Sequence, residues 1–132
     1  MFEITVEDSF SAAHALRGYQ GKCEHVHGHN YRVRVSLEAE ELDQAGLLMD
    51  FVEVRSLLRE LLERFDHRLL NEAPPFDTLN PTAENMARYF FQELSRWLAA
   101  RAEAPRVRVA EVRVSETDSA AAAYREGPGY LP

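Results

Sequence analysis

The spacing of apolar side chains changes period twice along the chain, and this restricts the available folds more than any other feature of the sequence. From Phe2 to His14 the even positions Phe2, Ile4, Val6, Phe10, Ala12 and His14 share one face, with Asp8 as the polar exception, which is the period of a strand. A second alternation runs from about His27 to Leu37, with His27, His29, Tyr31, Val33, Val35 and Leu37 on one face and Arg32, Arg34 and Ser36 on the other. The polar second face predicts an antiparallel sheet covered on one side. Behind Asp50 and Glu53, spaced as a capping box, Val54, Leu57, Leu58, Leu61, Leu62 and Phe65 recur at helical intervals. A second helix is predicted from NPTAEN, capped by Asn80 or Thr82, to about Ala102, with Met86, Phe90, Phe91, Leu94, Trp97 and Leu98 inward. After Pro105 the segment RVRVAEVRVSET returns to alternation. A phase change near Ala110 predicts a bulge before Val112, Val114 and Glu116 share a face. A last strand near Ala121 to Arg125 completes the order ββααββ, an α+β arrangement in which strands flank a helical pair.

The 132 residues suit one domain, residues 1–132, and the proline-rich stretch NEAPPFDTLNP at residues 71–81 is expected to be a loop inside it. A formal net charge of −7 argues against nucleic-acid or anionic-membrane partners, so an anionic substrate needs a locally basic pocket. With one cysteine there is no internal disulfide, no apolar run approaches ~20 residues, and MFEITVEDSF lacks the pattern of a signal peptide. A cytoplasmic location is the expectation.

The stretch CEHVHGHN, residues 23–30, concentrates metal-capable side chains. His27 and His29 occupy alternate positions on one strand face, as zinc ligands drawn from a strand commonly do. His25 shares their parity. At ~3.3 Å per residue, however, it starts ~13 Å from His29, too far for both to reach one ion on an extended strand. His14, on the core-side face of the preceding strand, is the best third ligand. Three histidines with an open fourth position suit catalytic zinc, whereas structural sites usually have four protein ligands. Cys23 either curls back as a fourth ligand or stays free as a reactive group. Asp66 and His67 form an acid–imidazole pair or simply end a helix with a histidine near its dipole. Glu116, at the end of a valine-rich strand face, is a strand-end carboxylate in solvent or an inward one needing a partner, for which a planar donor pair such as the edge of a pterin or guanine ring is suited.

Taken together FSAAHAL, CEHVHGHNY, LLMDF, FDHRLLN, NPTAEN and VSET resemble, in order and spacing, the 6-pyruvoyl-tetrahydropterin synthase family, including bacterial 6-carboxytetrahydropterin synthases. The resemblance implies a tunnelling fold: a four-stranded antiparallel sheet with two helices on one face, trimers closing a twelve-stranded barrel, stacked as a homohexamer with active sites between subunits. It implies zinc held by His14, His27 and His29, Cys23 as general base, Asp66 with His67 as charge-relay pair, and Glu116 as pterin anchor within the catalytic set. The implied substrate is a pterin triphosphate, 7,8-dihydroneopterin triphosphate. Its conversion to 6-carboxy-5,6,7,8-tetrahydropterin with loss of acetaldehyde and triphosphate feeds 7-deazaguanine (queuosine) synthesis. A thiol near a cation and an imidazole has its pKa lowered toward thiolate, which suits a base.

The three residues between Cys23 and His27 resemble the carboxy-forming branch rather than the pyruvoyl-forming one. Glu24 resembles a subgroup that cleaves dihydroneopterin to 6-hydroxymethyl-dihydropterin for folate, and it also reads as an ordinary loop acid. A non-catalytic zinc- or pterin-binding protein is the remaining alternative. Lys22 and Arg17 are candidates for the basic patch that a triphosphate requires.

Overall fold

A computed structural model describes residues 1–19 and 24–126. Strand β1 (Phe2–His14) pairs antiparallel with β2 (His27–Ala39) through a continuous ladder from Phe2↔Ala39 to His14↔His27. Helix α1 (Phe51–Glu63), a short strand β3 (Arg68–Leu69), helix α2 (Ala83–Ala99) and strands β4 (Arg108–Thr117) and β5 (Ala120–Tyr124) follow. The sheet order is β3-β1-β2-β4-β5. The expected four antiparallel strands are present. The fifth, β3, is a two-residue strand parallel to β1 through Ala12↔Arg68 and Ala13↔Leu69, too short to carry a periodicity signal.

Both helices cover the sheet face that carries Val6, Phe10, Tyr31, Val33, Val35, Val112 and Val114, all at 3% exposure or less. α1 packs on β1, and α2 on β4 and β5. The other face is lined by charged residues joined across strands, such as Arg34 Nε to Glu7 Oε1 at 2.9 Å and Arg125 to Glu111. Asp50 caps α1 by accepting the Val52 N–H at 2.8 Å. Glu53 does not close the capping box: it binds Arg101, whose guanidinium lies 4.6 Å from the Trp97 ring centroid. Arg101 is thereby turned back on α2, which ends at Ala99 and not at Ala102. Of the two expected caps, Thr82 is the one that accepts the Asn85 N–H, at 3.0 Å.

The bulge expected at Ala110 is present, since Ser36 pairs with Glu111 and Leu37 with Val109. A second lies at Glu116, with Ser115↔Ala121 followed by Thr117↔Ala120. A bulge re-aims the unpaired side chain, which here belongs to a candidate site residue.

The 71–81 segment is a loop with a 3-10 turn at its start, and it is not a passive linker. Asn71 accepts the Ala15 N–H at 2.9 Å and donates to the Ala15 carbonyl at 2.7 Å, while Asn80 does the same for Arg17 at 2.8 and 3.2 Å. Two side-chain amides thus pair with the backbone beyond His14 as a neighbouring strand would. Arg17 donates in return to the carbonyls of Leu79, Asn71 and Phe76. Its guanidinium is therefore anchored to the loop.

Phe10 stacks on Tyr31 at 5.0 Å and meets Phe90 edge-on at 6.1 Å, so it ties the first strand pair to α2. Phe10→Ala is expected to lower unfolding free energy by ~3–5 kcal/mol, read from the urea midpoint at unchanged slope.

Candidate metal centre and active site

The ladder sets His14 directly opposite His27 and Ala12 opposite His29, so three histidines meet at one end of the β1–β2 pair on the helix side. One ring nitrogen from each lies within 4.8 Å of the others, and this is the metal-capable cluster of the described residues. His14 is buried, His29 half-buried and His27 exposed, which places the centre at the mouth of the core.

Hydrogen bonds fix the ring orientations. His14 Nδ1 donates to the Pro81 carbonyl at 2.7 Å and His27 Nδ1 to the His25 carbonyl at 3.0 Å. Carbonyls only accept, so both Nδ1 atoms carry hydrogen and, in the neutral rings, both Nε2 atoms present lone pairs. Those two Nε2 atoms are 3.1 Å apart, close to the ~3.3 Å edge of a tetrahedron with ~2.0–2.1 Å metal–nitrogen bonds. Two lone pairs at that separation repel unless a proton or a cation lies between them. His29 Nε2 is a buried atom without a hydrogen-bond partner; Glu116 Oε2, at 3.6 Å, is too distant to be one. Burial pushes the His29 pKa down against the opposing pull of Glu116, and the neighbouring His14 and His27 push the same way. A neutral imidazole is the form that binds a metal. The donor set fits a borderline cation such as zinc.

His25 contributes its carbonyl and not its ring, so the sequence argument that kept its imidazole off this cluster agrees with the geometry. Cys23 and Lys22 lie outside the described residues. Glu24 exchanges two hydrogen bonds with Leu16, its N–H to the carbonyl at 3.0 Å and its Oε1 from the N–H at 3.1 Å. Its carboxylate is within electrostatic range of His29 and Tyr31. Tyr31, fully buried, edges against His14 and His29 at 5.8 and 5.3 Å. Its hydroxyl has no hydrogen-bond partner, and burial, with Glu116 and Glu24 nearby, raises its pKa.

Asp66 and His67 do form a pair, at 3.0 Å from Oδ1 to Nδ1. They belong to the turn after α1 and not to the helix end. Asp66 Oδ1 accepts the Ser11 N–H at 2.9 Å, and His67 N–H donates to the Ser11 carbonyl at 2.6 Å. His67 has φ 59, a left-handed backbone unusual for a residue other than glycine. Its ring is 81% exposed, and it lines an open depression with Ser11, Ala13, Gly28 and Asn30, to which His29 of the metal-capable cluster also contributes. In the sheet, β1 lies between β3, which directly follows the pair, and β2, which carries His27 and His29.

Sequence reasoning missed the Pro81 and His25 carbonyls and the paired asparagines. A backbone acceptor leaves no residue-type signal, but Asn71 and Asn80, flanking a proline-rich loop, were visible.

Two helices on one face of a mainly antiparallel sheet, with three convergent imidazoles that could hold a metal ion at one end of it, define a protein of tunnelling-fold architecture. The chain belongs to the 6-pyruvoyl tetrahydropterin synthase family, whose profile it matches over residues 3–127. A putative 6-carboxy-5,6,7,8-tetrahydropterin synthase from Archaeoglobus fulgidus is 40% identical over 109 residues, covering 82% of this chain and 86% of that protein. The 6-carboxy-5,6,7,8-tetrahydropterin synthase of Bacillus subtilis is 32% identical over 136 residues, 98% of this chain and 89% of that one. The structure of Caenorhabditis elegans 6-pyruvoyl tetrahydropterin synthase superposes with a TM-score of 0.76 at 30% identity, over 96% of this chain and 98% of that chain. Among the described residues no helix is long and apolar enough to cross a membrane.

His14→Ala removes the ring oriented by Pro81 and is expected to lower bound metal, read by elemental analysis after dialysis, by ~10-fold or more. The Ser11 N–H, opposed by partial burial and helped by His67 and Arg59, holds the Asp66 pKa below its ordinary value of 3.8. A depressed carboxylate pKa contributes stability above its unfolded value and loses it as pH falls through the folded value. The stability advantage of wild type over Asp66→Asn should therefore be present at neutral pH and vanish in acid, as followed by thermal melts across pH.

Proposed function

We propose that this chain is a zinc-dependent lyase that converts 7,8-dihydroneopterin triphosphate and water to 6-carboxy-5,6,7,8-tetrahydropterin, acetaldehyde and triphosphate. Its product would feed 7-deazaguanine synthesis. The observation that carries the reading is the convergence of the His14, His27 and His29 nitrogens, two of them oriented by carbonyls behind the ring. The names of the Archaeoglobus and Bacillus relatives support the choice of product. Zinc bound there would supply Lewis acidity toward the side-chain hydroxyls of the substrate.

The remaining roles fall to side chains of this protein. Cys23 removes a proton from the substrate side chain, and His67, oriented by Asp66, returns one. Glu116 accepts hydrogen bonds from the N–H and amino edge of the pterin. The reading includes a homohexamer of two stacked trimers, with the Asp66–His67 pair of one chain serving the metal centre of a neighbour. The position of β1 between β3, which directly follows His67, and β2, which carries His29, supports that sharing.

Glu24 favours a second reading, cleavage of dihydroneopterin to 6-hydroxymethyl-dihydropterin, because its carboxylate stands within electrostatic range of His29. Incubation of the zinc-loaded protein with 7,8-dihydroneopterin triphosphate, followed by mass spectrometry, separates the two. The 6-carboxy product is expected; 6-pyruvoyl-tetrahydropterin or the hydroxymethyl product as the main species would overturn the first reading. Cys23→Ala is expected to abolish turnover at unchanged zinc content, and loss of zinc would make the cysteine a ligand instead.

A further inference from the structure

Asp8 interrupts the apolar alternation of β1, and its partner comes from the helix layer. Arg59 on α1 donates from Nη1 to Asp8 Oδ1 at 3.3 Å and to the Ser9 carbonyl at 3.0 Å. Its Nη2 lies 3.9 Å from Asp66 Oδ2, and its Nε 3.8 Å from Glu63 Oε1. Nε and Nη2 are buried atoms with no hydrogen-bond partner. A guanidinium has five donors in a rigid planar fork, and buried donors are rarely left without an acceptor. Both orphan groups face carboxylates slightly beyond hydrogen-bond reach. Glu63 is 67% exposed and screened by solvent, whereas Asp66 is 29% exposed, so the pull toward Asp66 is the stronger one.

The geometry of Asp66 gives that pull a purpose. Oδ1 is shared by the Ser11 N–H and His67 Nδ1, at 2.9 and 3.0 Å. Oδ2 faces the Arg59 cation. Rotation of the carboxylate would break the His67 contact first, because that ring is largely solvent-exposed. A cation fixed on the Oδ2 side opposes that rotation. Asp8 and the Ser9 carbonyl keep the cation there.

We propose that Arg59, anchored by Asp8, is a positioning residue that fixes the Asp66 carboxylate so that Oδ1 stays aimed at His67 Nδ1. Asp8, Arg59, Asp66 and His67 then form one chain of alternating charge from β1 through α1 to the exposed imidazole. The inference rests on the reading that Asp66 and His67 move protons, and it explains why an aspartate stands at an inward position of β1.

The test is an NMR titration of the His67 imidazole in metal-loaded wild type, Arg59→Gln and Asp8→Asn, with kcat and KM measured alongside. The charged groups around the pair are Asp8 from β1, Arg59 and Glu63 from α1, and the adjacent Arg68. If Arg59 positions Asp66, its loss frees the carboxylate and the variant's His67 titrates at lower pH than in wild type. If Arg59 acts only as a nearby positive charge, its loss raises the His67 pKa; a rise, or no change, overturns the proposal. Turnover of Arg59→Gln is expected to fall about tenfold in kcat with KM and metal content nearly unchanged. Arg59→Lys keeps the cation, is expected to restore both readouts in part, and serves if Arg59→Gln does not fold. His67→Ala distinguishes the two levels: wild-type turnover in that variant overturns the proton-transfer reading, while the titration still decides the role of Arg59.

Discussion

The register of the first two strands is the constraint on which the rest depends. Thirteen consecutive pairs run from Phe2↔Ala39 to His14↔His27, and a slip of one residue would turn every side chain of one strand to the opposite face. The apolar pairs Ile4↔Leu37, Val6↔Val35 and Phe10↔Tyr31 set the register from the core, and the Glu7–Arg34 ion pair matches it on the polar face. At the far end of the same ladder the pairing delivers His14 opposite His27. The three-histidine cluster is thus the last rung of the core. The energy that holds it in place is mostly the hydrophobic burial of residues several rungs away.

The centre itself is organised by what stands behind the rings. Pro81 and His25 supply carbonyls that take the Nδ1 hydrogens and leave Nε2 lone pairs pointing inward. An array of converging acceptors attracts a cation whatever the sign of the whole molecule, and the net charge of −7 adds to that attraction. The same charge works against an anionic substrate. Arg17 is spent on loop carbonyls, and many other arginines are paired with glutamates or aspartates.

Much of the fold was legible because it is periodic. Both long strands, both helices, the cap at Asp50 and the bulge at Ala110 follow from apolar spacing and local chemistry. So does the co-location of His14, His27 and His29, which required only that two strands of known face lie side by side. Features that depend on long-range partners were not legible. Glu53 looked like half of a capping box until Arg101 arrived from 48 residues away, and Asp8 looked like a flaw until Arg59 was placed above it. β3 exists because the turn after α1 brings Arg68 and Leu69 beside Ala12 and Ala13; two residues have no period of their own. That the turn carrying Asp66 and His67 returns to the edge of β1 away from β2 was equally invisible, since sequence spacing says nothing about which edge a turn returns to.

Pro81 accepts from His14 immediately before Thr82 caps α2. The loop end that steers a metal ligand is therefore also the point where a 17-residue helix begins. An ion held by that ring would oppose fraying of the first turn of α2. By reciprocity of linked equilibria, whatever tightened such an ion would stiffen the helix start by the same free energy. Cation affinity and local unfolding of α2 would then be two readings of a single equilibrium, joined through one proline carbonyl.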